Sequence, residues 1–112
     1  MIEHYNRRGE PITMERWAEL FEDMDYKIVK RTEFDDGDVK VSTVWLGLDH
    51  RTTFGRGQAT LLERPIIFET MIFGLDPENE LQWRYSTEEE ARAHHDRLCE
   101  QLREGVVVDE LG

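Results

Sequence analysis

An Asp36-Gly37 dipeptide splits the segment from Tyr26 to Leu46 into two alternating runs, and no other feature of the chain constrains the fold as much. Asp-Gly suits a type I′ hairpin turn, because both central residues of that turn need positive φ. Fixing the turn fixes the register of the flanking strands. It sets Phe34 opposite Val39, Thr32 opposite Val41, Ile28 opposite Trp45 and Tyr26 opposite Gly47 on one face. On the other face Glu33 meets Lys40 and Val29 meets Val44. The Glu33–Lys40 pair joins opposite charges across the strands, worth a few tenths of a kcal/mol (roughly). Turn chemistry, apolar pattern and charge pairing all point to one hairpin.

The rest of the chain supplies partners for it. Thr13 is an N-cap candidate, and Met14, Trp17, Leu20, Phe21 and Met24 follow at helical spacing. Pro65 ends a loop, Ile66–Phe73 reads as a strand, and Gly74 with the L-D-P-E-N-E run makes the next turn. Leu81, Trp83 and Tyr85 alternate with Gln82 and Arg84, giving a short strand. Thr87 with Glu90 forms a capping box before a helix whose inner face carries Ala91, His95, Leu98 and Leu102. Gly105 stops that helix. The order αββββα predicts an α+β fold, a four-stranded antiparallel sheet with two helices on one face. The 112 residues suit a single domain, with 1–11 as an N-terminal arm and 106–112 as a C-terminal tail. Val29, Val44, Leu46 and part of the Ile66–Ile72 set fall on the free sheet face, which makes a homodimer through that face an expectation.

The charge balance narrows the partners. Twenty-five acids against 14 bases leave a formal charge of −11. Such a surface repels phosphate backbones, so direct nucleic-acid binding is not expected, whereas a basic protein surface suits it. One cysteine, Cys99, excludes an internal disulfide and a Cys-rich zinc site. No apolar run approaches the length of a bilayer span and the start is polar, so a cytoplasmic protein is expected.

Chemistry-bearing residues gather around the central strands. Asp49, His50 and Glu69 stand beside core-forming residues, and a bare buried carboxylate costs several kcal/mol (roughly), so each must be solvated, paired or functional. The 50–65 stretch holds Arg51, Arg56 and Arg64 against the single acid Glu63, a local reversal of the overall charge. Arginines there could grip a carboxylate or phosphate. Asp49, His50, Arg51, Arg56, Glu69 and Arg84 are therefore the candidate ligand-binding residues. The structural alternative has Asp49 closing the strand end and Glu69 pairing with Arg84 on the next strand. Neither H-x-x-x-H nor H-E-x-x-H occurs, and Gly55–Gly57 is too short for a nucleotide fingerprint. No metal, cofactor or catalytic residue is assigned. His95 reads as a packing histidine and His94 as a solvent-facing neighbour.

The strings W-L-G-L-D-H (45–50), I-F-E-T-M-I-F-G (67–74) and R-Y-S-T-E-E-E-A (84–91), in that order, resemble a family of small uncharacterised actinobacteriophage and prophage proteins. The resemblance covers roughly Val39 to Leu102 and implies a phage setting inside a host bacterium, with this α+β fold. The functional expectation is a non-enzymatic accessory protein that binds a host or phage protein, in host takeover or counter-defence. The alternative is a small hydrolase, or a protein sequestering an anionic ligand or nucleotide, at the Asp/His/Glu/Arg end of the sheet.

Overall fold

The computed structural model describes residues 3–49, 65–75 and 80–105. Two short strands, β1 (His4–Tyr5) and β2 (Pro11–Ile12), pair antiparallel as a ribbon in the stretch without sequence periodicity. Helix α1 (Met14–Glu22) follows, capped by the Thr13 side chain accepting from the Arg16 N–H. Asp23 then starts a second short helix, α2 (Met24–Lys27), its carboxylate accepting from the Asp25 and Tyr26 amides. Four strands make the main sheet: β3 (Ile28–Phe34), β4 (Val39–Trp45), β5 (Phe68–Phe73) and β6 (Leu81–Tyr85). They lie in sequence order, each antiparallel to the next. Helix α3 (Glu88–Glu104) closes the fold, with the Thr87/Glu90 capping box at its start and Gly105 at φ 75° at its end.

The turn between β3 and β4 forms where expected. Asp36 takes φ 56° and ψ 32° and Gly37 takes φ 93°, the left-handed pair that a type I′ turn needs. Phe34–Val39, Glu33–Lys40 and Thr32–Val41 pair as the turn dictates. Farther from the turn the register slips. A shift between Ile28 and Lys30 inserts one extra residue, so Ile28 stands opposite Val44 and not Trp45. The inserted residue, Val29, turns into the core beside Trp45 and leaves the free face it was expected to occupy. Tyr26 pairs with no strand residue. It belongs to α2, and its ring meets Trp45 edge-on at 5.0 Å.

Alternation then sorts the sheet into two faces. Val39, Val41, Thr43 and Trp45 are buried along β4, as are Phe68, Thr70 and Ile72 along β5. Ala91, Leu98 and Cys99 of α3 complete this inner layer. Near one end of the sheet Leu20 of α1 and Ala91 of α3 share a core cluster with Trp45 and Phe68, so both long helices pack on the same side. Near the other end Leu98 and Cys99 pack with Val39, Val41 and Ile72. The ribbon is tied to the sheet by the Tyr5 N–H donating to Gly47 O at 2.8 Å and by the Trp45 indole donating to Tyr5 O at 3.0 Å.

Candidate functional site

The candidate residues that the structure describes are held by structural bonds. Glu69 and Arg84 stand directly opposite on β5 and β6, joined from Arg84 Nε to Glu69 Oε2 at 3.1 Å. Both are partly buried, with side chains 13% and 24% exposed, enough to make the pair a fixed part of the outer face. Asp49 follows β4 and accepts from the Ile66 N–H at 3.2 Å, fastening the chain where it leaves the strand to the segment that enters β5. His50, Arg51 and Arg56 lie outside the described residues. Among the described residues, no group of three His, Cys, Asp or Glu side chains is placed to hold a metal ion.

The structure gathers a different polar set, under α3. His95 is fully buried, and both ring nitrogens are used: Nδ1 meets Thr43 Oγ1 at 2.7 Å and Nε2 meets Thr32 Oγ1 at 2.9 Å. Thr43 Oγ1 also lies 2.6 Å from Thr70 Oγ1, and both threonines are completely enclosed. On the neighbouring strand the Tyr85 hydroxyl meets Nδ1 of His94. His94 is itself buried, 6% exposed, with Trp83 and Tyr85 rings set against it at 5.2 and 5.5 Å. It was expected in solvent, but β6 brings two aromatic rings under it and widens the buried arc of α3 to take both neighbouring histidines.

Burial decides the ionisation of these groups. Removal from water pushes His95 down to about 4, and the nearby Lys30 and Arg92 cations push the same way, while Asp96 opposes them. His94 is lowered for the same first reason, with Arg97 adding to it. Tyr85 rises to about 12 through burial, against the pull of Thr70 and Arg97. At neutral pH the set is therefore uncharged. A neutral imidazole offers one donor and one acceptor, and the hydroxyls around it can serve as either.

Thr32 gives this interior an outlet. It lines a groove of about 320 Å³ between β3 and α3, together with Lys30, Asp96, Cys99, Glu100 and Arg103. Lys30 Nζ and Asp96 Oδ1 meet across it at 2.5 Å. Cys99 is 3% exposed and packs with the core, as its place among helical apolar residues implied.

The sequence carried one signal of this set. Thr32, Thr43 and Thr70 each occupy the inward phase of a strand, between residues such as Val41, Trp45, Phe68 and Ile72. A hydroxyl in that phase needs a buried partner, and His95 was already assigned to the inner face of the last helix.

Comparison of the chain with protein-family models, with curated proteins and with solved structures finds no match. Among the described residues, no helix is long and apolar enough to cross a membrane.

Proposed function

We propose that the protein acts by binding a partner protein that presents a basic surface, and that the α1–α2 segment is the contact. The observation that supports this is the make-up of that segment's solvent side. Glu15, Glu19, Glu22, Asp23 and Asp25 are all exposed along it. The cations within the segment are Arg16 and Lys27, and the Lys27 ammonium sits over the Phe21 ring at 3.7 Å. Met14 and Met24, each heading one of the two helices, are 61% and 56% exposed. Carboxylates steer a basic partner into contact, while flexible thioether side chains adapt to apolar surface at its centre.

The described candidate-site residues and the buried histidines have structural occupations. Glu69 pairs with Arg84, Asp49 fastens the end of β4, and the histidines are enclosed beneath α3. Taken with the phage resemblance, the partner is a host or phage protein and the role is host takeover or counter-defence, without catalysis.

Parallel affinity capture from bacterial lysate tests the reading, with the wild-type protein and a Glu15→Lys/Glu19→Lys/Glu22→Lys variant as baits. The expected result is a stoichiometric partner on the wild type at low salt, weakened at moderate salt and lost with the variant. Equal recovery on both baits, or no stoichiometric partner on the wild type, contradicts it.

A further inference from the structure

The main sheet has two marginal strands, β3 and β6. Every second residue of a marginal strand turns its backbone N–H and C=O away from the sheet, ready to pair with another strand. Among the described residues, no strand lies against the outer side of β3, and the backbone of residues 30–34 bonds only to β4. The bulge at Val29 makes 30–34 the regular part of β3, in step with β4 from Lys30–Thr43 to Phe34–Val39. Thr32 is its midpoint.

A second copy laid antiparallel along the whole of 30–34 is related to the first by a two-fold axis beside Thr32. Arg31 of each copy then stands opposite Glu33 of the other. Both side chains are exposed on the outer face of the sheet. Among the described residues, neither has an ion-pair partner. Of the directly opposed pairs, two join opposite charges and none joins like charges. On the inner face Phe34 of one copy meets Lys30 of the other, whose aliphatic stem can cover the ring. Moving the axis to Arg31 or to Glu33 sets like charges face to face, so charge selects one register. The β6 margin offers no equivalent. A copy centred on Trp83 sets Gln82 against Arg84, and Arg84 is already held by Glu69.

We propose that the protein forms a two-fold dimer through the β3 edge, joining two four-stranded sheets into one, with the paired Arg31 and Glu33 side chains at the seam. The occupant is a second copy because the edge is complementary to itself, with an arginine and a glutamate at mirror positions about Thr32. The contact uses neither the outer face of the sheet nor the acidic side of α1 and α2. It does not rest on the partner-binding reading of those helices.

The test is analytical ultracentrifugation of the 112-residue protein over a micromolar-to-millimolar series. Moderate salt screens the repulsion between two copies of charge −11. The wild type should show a reversible monomer–dimer equilibrium. Arg31→Glu and Glu33→Arg each set like charges face to face at both positions, so each alone should associate about tenfold more weakly. In an equimolar mixture of the two variants, opposite charges face each other again at both positions, and the dimer should return as a heterodimer. Hydrogen exchange of the wild type places the contact: the β3 amides that point away from β4 should slow as the dimer fills. A wild type that stays monomeric throughout the series overturns the proposal. So does a wild-type dimer whose outward β3 amides exchange as fast as in the monomer, and so does a mixture of folded variants no more associated than either variant alone. The two wild-type readings need no variant, so they decide the matter even where a variant fails to fold.

Discussion

Glu88 grips the Arg7 guanidinium with both carboxylate oxygens, at 2.8 Å to Nε and 2.7 Å to Nη2, across 81 residues of chain. The pair fastens the N-terminal ribbon to the first turn of α3, where the helix dipole favours an acid. Arg7 also donates from Nη1 to Tyr26 O at 3.0 Å, its N–H donates to the Tyr26 hydroxyl at 2.8 Å, and its guanidinium lies over the Tyr26 ring. One side chain thus joins the ribbon, α2 and α3.

Arg7→Ala should therefore destabilise the protein by about 2 kcal/mol, more than an ordinary surface ion pair is worth. The Arg7 bond holds the Glu88 carboxyl below its usual range. That contribution is complete above the ordinary glutamate pKa and is lost as pH falls through the lowered one. Urea denaturation should show the gap between wild type and Arg7→Ala closing in that acid range. A gap that is constant with pH would remove the ion pair as its cause.

Gly47 tests the packing between the ribbon, α1 and the sheet. Its φ is +76°, and a Cβ built there would lie 2.5 Å from the Trp45 ring and 2.6 Å from Trp17. Trp17 cannot easily withdraw, because its indole donates to Leu46 O at 2.9 Å. Gly9 has a similar φ of +83° but open space around it. Gly9→Ala should cost about 1 kcal/mol from backbone strain alone, and Gly47→Ala at least twice that. Equal losses in thermal melts would mean that the two tryptophans give way freely.

The same residues show what the sequence made legible. Asp36-Gly37 specifies its turn through backbone chemistry, and register is right for the residues nearest it. The extra residue at Val29 has no compositional mark, since valine suits a bulge and a regular strand alike, so pairing from the turn fails beyond it. Thr87, Glu90 and Gly105 act locally and were readable for that reason. The candidate site was less so. Asp49, Glu69 and Arg84 drew attention as charges in apolar strands, and pairing answers it for Glu69 and Arg84. The His95 set depends on three strands and a helix meeting, and threonine passes for a β-branched core residue until its partner across the sheet is known.

Thr43→Val tests the buried line by stability. The change keeps the shape and removes the hydroxyl shared by His95 and Thr70. It should destabilise by about 1–3 kcal/mol, because groups at 0% exposure lose a partner that water cannot replace. Ser42→Val, one position along on the outer face, should stay within about 0.5 kcal/mol of wild type. Chemical denaturation of both variants decides it, and a Thr43→Val protein as stable as wild type would mean that the hydroxyls contribute nothing.

The pH dependence of His95 bears most directly on the account, whose central claim is a core built around a neutral histidine. Its pKa is lowered to about 4 in the folded protein, against about 6.5 for a free histidine. Between those values the unfolded chain binds a proton that the folded one refuses, so stability falls as pH drops from neutral toward 4. The full difference corresponds to about 3 kcal/mol. The measurement is an NMR titration of the His95 ring from pH 8 downward. The predicted result is no titration near neutrality, with protonation only near pH 4 or together with unfolding. Reversible protonation of His95 near pH 6.5 in the folded protein would contradict the account.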